Sequence, residues 1–149
     1  MSETDENLIE ALNKDLANLH VFWVKLHNYH WNIQGHMFFT LHEKTEEYYN
    51  YIGEFYDDVA ERILQKRGHP FASLKKYLGS TSIVEEDDRP CGPQELLEGV
   101  RDGFETLLAD AKAIHSTADA LDDVATSNMY EDHIQKLGTY IWMLRQAAS

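Results

Sequence analysis

A chain of 149 residues with 26 Asp and Glu against 13 Lys and Arg carries a net charge of −13. That length predicts one domain, residues 1–149, around a single core, and that charge argues against a protein that grips polyphosphate through surface cations. No apolar run reaches membrane-spanning length, the acidic start Met1–Asn7 lacks the basic-then-apolar form of a signal peptide, and the lone Cys91 offers no disulfide framework, so a cytoplasmic protein with a reduced loop thiol is expected.

The first helix begins where Thr4 or Asp5 can cap it, and Leu8, Leu12, Leu16, Leu19, Trp23 and Leu26 recur along one face. His30 is the next member of that stripe and is expected to point inward. Between residues 36 and 67 there is no proline, and Leu41, Tyr48, Ile52, Phe55, Val59 and Ile63 recur at helical spacing, which predicts a second long amphipathic helix. Gly68, Pro70 and Gly79 bound a short helical stretch, Phe71–Leu78, inside a long crossover. Pro93 suits the first turn of a third long helix, from about Gln94 to Ala120, and Asp123 can cap a fourth, from about Val124 to Ala147. The expected fold is all-α, four helices with one long connection.

On the second helix His42 and Glu46 are four residues apart, as are Asp57 and Glu61, so each pair projects from one face. The two pairs cannot meet in one chain, because the stretch from His42 to Asp57 spans roughly 22 Å at ~1.5 Å per residue. An antiparallel second copy removes that obstacle. The pairs 42/61 and 46/57 share a midpoint between Tyr51 and Ile52. A two-fold axis there sets His42 opposite Glu61 of the partner subunit, and Glu46 opposite Asp57 of the partner subunit, creating two shared metal sites at once. Gly53, beside the axis, is expected to let the helices approach. Two inward histidines among carboxylates suit non-haem iron. Taken singly, an inward histidine is more often a core residue and an acid pair a solvated face; the shared midpoint is what joins them.

The run KLHNYHWNIQGHMFFTLHEKTEEYYNYIGEFYDDVAERILQKRGHP resembles the Dps miniferritins, DNA-binding proteins from starved cells. The resemblance rests on His30-Trp31, Gly35, Phe39, Leu41-His42, Glu46, and Asp57 to Glu61-Arg62 in the family's register. It implies a ferritin-like four-helix bundle whose crossover carries the short extra helix, assembled as a hollow dodecamer on a two-fold dimer. It further implies ferroxidase activity: ferrous iron, two ions per shared site, is oxidised by hydrogen peroxide or oxygen and stored inside as ferric mineral, which protects against oxidative stress. By the same resemblance His30 and His42 come from one subunit, and Asp57 and Glu61 from its mate. Glu46 stands where many members carry Asp. None of the eight histidines follows a Glu by three residues, which sets the chain apart from ferritins with a di-iron centre inside one bundle.

The acids of the second helix have two readings, solubility or an inner wall that collects iron, with Glu43, Glu47 and Glu54 as nucleation candidates. Asp119, Asp122 and Asp123 form another cluster where the resemblance suggests an acidic entrance pore, although Asn128 replaces a common aspartate. The amino terminus MSETDEN holds three acids and no base, so strong DNA binding is not expected near neutral pH. Trp31, and Tyr48, Tyr49 and Tyr51 around the axis, read first as packing, which is all that most such aromatics do; the alternative, stronger for Trp31 than for the tyrosines, is quenching of oxidising equivalents. Apolar and aromatic residues around most of the second helix predict at least a dimer. His20, His27, His36, His69, His115 and His133 fit no ligand geometry, apart from adventitious binding at His27. Two further function classes stay open: a shell that binds DNA or another macromolecule with incidental iron, and a di-metal enzyme acting on an organic substrate in an apolar pocket.

Overall fold

The computed structural model describes residues 2–149, the side chains of Glu3 and Thr4 excepted. Five helices follow in order: α1 Glu3–Asn32, α2 Phe38–Gln65, α3 Leu74–Ser80, α4 Pro93–Ala120 and α5 Val124–Ala148. Short turns join α1 to α2 and α4 to α5, and each of these pairs packs together, while the crossover between α2 and α4 carries α3 against α1. Short turns force antiparallel neighbours, whereas a long connection allows α2 and α4 to run parallel, which is the ferritin-like arrangement.

The helices bury the faces their periodicity announces. Leu8, Leu12, Leu16, Leu19 and Leu26 of α1 are fully buried, Trp23 only partly, and Leu41, Tyr48, Ile52, Phe55, Val59 and Ile63 of α2 are buried with them. Against these lie Leu96, Val100, Phe104 and Leu107 of α4 and Tyr130, Leu137 and Leu144 of α5. The α4 backbone comes so close to α1 that a Cβ at Gly103 would collide with the Phe22 ring. Any larger residue there forces the helices apart or distorts Phe22.

Helix starts partly depart from expectation. The cap of α1 is Ser2, whose Oγ accepts from the Asp5 amide at 3.1 Å, not Thr4 or Asp5. A serine at the preceding turn satisfies the first free amides, so the helix starts before the residues expected to cap it. The short helix is Leu74–Ser80 rather than Phe71–Leu78, because Ser73 caps it by accepting from the Lys76 amide. Pro93 does open α4, and Asp123 caps α5.

Two buried asparagines fasten the crossover to α1. Asn13 donates to His69 O and accepts from the Phe71 amide, while Asn18 Oδ1 accepts from Thr81 Oγ1 at 2.7 Å and the Ser82 amide at 2.8 Å. These bonds satisfy loop backbone that would otherwise lie unpaired, and they fix α3 beside α1. The Cys91 thiol is free and buried; its backbone pairs with Asn32 and Gln34, tying the end of α1 to the start of α4.

Candidate metal centre

The end of α1 and the start of α2 bring His30 and His42 together. Their rings stack with centroids 3.7 Å apart and planes 14° from parallel. Each ring bonds the other residue's backbone: His30 Nδ1–H donates to His42 O at 2.7 Å, and His42 Nδ1–H donates to His30 O at 2.8 Å. A carbonyl only accepts, so both Nδ1 atoms carry the proton in the neutral rings, leaving both Nε2 lone pairs free. Thr45 Oγ1 lies 3.0 Å from His30 Nδ1 and itself donates to Leu41 O, so it acts as a second acceptor for the same N–H. Burial holds the His30 pKa below its ordinary value, against an opposing pull from the His42 carbonyl. His30 is therefore kept as the neutral, metal-binding form at physiological pH.

Glu46 completes this end of the cluster. Its Oε1 lies 4.0 Å from His30 Nε2, on an otherwise exposed side chain. Further along α2, Asp57, Asp58 and Glu61 are all exposed, and each offers an oxygen within 4.8 Å of the others. Among the described residues this is the group of three potential ligands that meets so closely within one chain. The structure thus forms two half-clusters, imidazole-rich at one end of α2 and carboxylate-rich towards the other. One straight helix keeps them apart.

Thr45 and Asp58 were missed in the sequence. A signal for Thr45 existed: it is the polar residue filling the gap in the apolar stripe between Leu41 and Tyr48, fully buried. Asp58 carried none, since an acid beside an acid on a helix does not disclose which way it turns.

The residues around the midpoint are placed by packing within the chain. Tyr48 is buried against Phe104 and Tyr140, Tyr49 stacks on His27 at 3.8 Å, and the Tyr51 hydroxyl hydrogen-bonds with His133 Nδ1 at 2.6 Å. The outward residues there are Asn50 and Glu54 instead, because the 100° turn per residue carries Tyr48 and Tyr51 towards the core and α5. Neighbouring helices of the same chain cover much of the aromatic girth of α2. Gly53 makes room within the chain: a Cβ there would meet Trp23 Nε1 at 3.1 Å. Exposed apolar surface does remain beside the histidines, with Trp31 72% and Phe39 84% exposed.

Arg62 and the acids before α5 are likewise placed by the fold. Arg62 donates to Asp123 at 2.8 Å and to Thr126, and Lys66 donates to Asp123 at 2.7 Å. Burial disfavours the Asp123 charge, but Lys66, Thr126 and Arg62 outweigh it and hold the pKa well below the carboxylate range. That carboxylate locks α2 to α5 and is occupied by protein partners. Asp119 and Asp122 line a shallow recess with Asn128 and Glu131. Glu43, Glu47 and Glu54 are exposed along α2, and Glu47 lies 3.4 Å from Lys44. Of the unassigned histidines, His133 is buried and its pKa is pushed down to about 3, while His115 approaches Ser127 and Glu131.

Comparison with known proteins agrees with this architecture. The family described as ferritin-like domain matches residues 9–149. General stress protein 20U of Bacillus subtilis is 40% identical over 94% of this chain and 96% of its own length. DNA protection during starvation protein 2 of Bacillus anthracis is 38% identical over 95% of this chain and 96% of its own. The crystal structure of the Dps protein from Vibrio cholerae, described as a member of a broad superfamily of ferritin-like diiron-carboxylate proteins, superimposes with a TM-score of 0.94 at 36% identity, covering 98% of this chain and 91% of that one. With the all-α fold, these matches place the chain in the Dps family of ferritin-like proteins.

Proposed function

We propose that this protein is a ferroxidase and iron store acting in the cytoplasm, with residues 1–149 as one ferritin-like unit and iron as its substrate and cargo. The carrying observation is the reciprocal histidine pair: two imidazoles locked with Nε2 free, beside Glu46, on a helix whose other half presents Asp57 and Glu61. His30 and His42 of one subunit, with Asp57 and Glu61 supplied by a two-fold mate, then hold two ferrous ions per shared site, with the Glu46 carboxylate a further ligand candidate beside His30. A mixed imidazole and carboxylate donor set suits ferrous iron and also the harder ferric product. Hydrogen peroxide, or oxygen, takes up the electrons. Two Fe²⁺, one peroxide and two waters give two FeOOH and four protons, and one two-electron step avoids hydroxyl radical. The homo-oligomer is a dodecamer built on that dimer; Trp31 and Phe39 supply apolar surface for a mate to cover. Ferric product moves to the acids Glu43, Glu47 and Glu54.

Association with DNA or another macromolecule is not the main role of this chain. At −13 per subunit, duplex DNA is repelled over most of the surface. A retarded complex in a low-salt mobility-shift assay with divalent ions chelated would overturn that. No helix among the described residues is long and apolar enough to cross a membrane. The deciding experiment is stopped-flow mixing of metal-free protein with Fe²⁺ and either peroxide or oxygen. Fast oxidation followed by a soluble iron core is expected; oxidation no faster than a protein-free control would refute the proposal.

A further inference from the structure

Two of the histidines that match no ligand geometry, His20 and His27, lie with His30 in one unbroken file of rings. His30 is 5.2 Å from Tyr49, centroid to centroid, and Tyr49 stacks at 3.8 Å on His27. His27 lies 4.5 Å from Trp23, and Trp23 lies 6.0 Å from Tyr56. Tyr56 is 5.2 Å from His20, which stacks at 4.4 Å on Tyr77 of α3. Trp31 joins as a side branch, 5.3 Å from His27. The file runs from the candidate metal centre down the groove between α1 and α2 to the crossover, and the Asn13 and Asn18 bonds hold its far end in place.

Oxidisable rings and imidazoles are interleaved along the file. Imidazole resists one-electron oxidation, whereas indole and phenol are the most readily oxidised ring side chains. In this file each oxidisable ring is separated from the next by at most one imidazole, so electron tunnelling never has to cross more than one intervening ring. Packing alone requires apolar rings but not this order. Two of the four oxidisable rings are half-buried tyrosines at the crossover end, and the Tyr77 hydroxyl donates to Phe71 O at 2.7 Å near the surface. A phenol loses its proton when it loses an electron, so a half-exposed tyrosine from which a proton can reach water is the low point of such a path.

We infer that Tyr49, Trp23, Tyr56 and Tyr77 form a hole-transfer path that carries stray oxidising equivalents from the metal centre to Tyr77. The inference rests on the proposed iron chemistry for its oxidant. When a single ferrous ion meets peroxide, hydroxyl radical forms. An electron passing back along the file, with one proton from solvent, reduces that radical to water. Tyr77 supplies the electron, releases its phenolic proton and becomes a neutral tyrosyl radical. A soluble thiol then donates a hydrogen atom, restoring the phenol and leaving a thiyl radical. The metal ligands and the buried core are spared.

The test separates the path from the iron chemistry. A ruthenium photosensitiser attached through His36→Cys, exposed in the turn between α1 and α2, generates a one-electron oxidant by flash-quench in the full-length protein without iron. Tyrosyl radical is followed by transient absorbance and by freeze-quench paramagnetic resonance with ring-deuterated tyrosine. The Tyr77 radical, told apart from radicals on Tyr49 and Tyr56 by its own β-methylene hyperfine coupling, should be lost in Tyr77→Phe and also in Trp23→Phe, two substitutions that keep an aromatic ring in place. A signal unchanged in either variant overturns the path. The same variants mixed with Fe²⁺ and peroxide should oxidise iron at the parent rate. Absent oxidation in the parent would refute the proposed function, while the flash-quench result would still decide the path.

Discussion

Two half-clusters on one straight helix predict that defective chains will repair each other. His30→Ala/His42→Ala removes the imidazole half, and Asp57→Ala/Glu61→Ala removes the carboxylate half. Each homo-oligomer then lacks half its ligands at every site, so rapid ferroxidation should be lost in both. In a mixed dimer one site loses all four ligands and the other keeps all four. Random pairing of equal amounts makes half the dimers mixed, each with one of two sites intact, so recovery should approach about a quarter of the parent rate. The halves stand roughly 22 Å apart along the helix at ~1.5 Å per residue, too far for any side-chain rearrangement to bridge within one chain. Co-expressed, differently tagged chains, assayed by stopped-flow as the unselected mixture after pull-down through one tag has detected the other, give the measurement. Mixed dimers with no recovered activity would mean that the site does not combine these ligands across the two-fold.

Two substitutions test the environment of the site and of the core. Thr45→Val keeps the buried shape but removes an acceptor from His30 Nδ1–H; because His42 O at 2.7 Å still fixes the tautomer, metal affinity should fall by only about tenfold, the lower end for lost ligand support, as read by calorimetry with Co²⁺. Asp15 is fully buried, and burial, opposed by the Tyr130 hydroxyl and aided by Asp110, pushes its pKa up to about 7. A carboxyl with a raised folded pKa binds a proton that the unfolded chain has released, so its contribution to stability is complete below about pH 4 and is lost as pH rises towards about 7. The ceiling is roughly 4 kcal/mol, about three pKa units at ~1.36 kcal/mol each. Asp15→Asn should therefore melt higher than the parent at pH 8 and show a flatter pH profile, at matched concentration and oligomeric state; an unchanged pH profile would mean that Asp15 is not the titrating group.

Elements were legible in this sequence wherever one physical rule governed them. The four long helices followed from apolar spacing, and Pro93 and Asp123 marked starts that the chain uses. The first cap was misplaced because Ser2 obeys the same capping rule as Thr4 and Asp5 within four residues, and only the position of the first free amides distinguishes them. Rotational phase was the harder quantity. Tyr48, Tyr49 and Tyr51 all lie near the midpoint of α2, but they face the core, α1 and α5 respectively, and a residue's nearness in sequence to a symmetry axis says nothing about which side of the helix it occupies.

The site divides along the same line. Spacing revealed which residues could share a face, since that follows from helix geometry alone. What spacing did not reveal is the device that gives the pair its chemistry: two ring N–H groups each spent on the other residue's carbonyl, with Thr45 as the extra acceptor. Backbone carbonyls are identical in every residue, so no sequence pattern marks the two that do this work. The exchange requires the last turn of α1 and the first turns of α2 to lie antiparallel, and the tight turn at Gly35, with φ of 114°, permits that. Both imidazoles are thereby held in one tautomer by the hairpin itself, before any metal arrives. Metal binding then need not select the ring orientation of either histidine, and that part of the ordering cost has been met by folding.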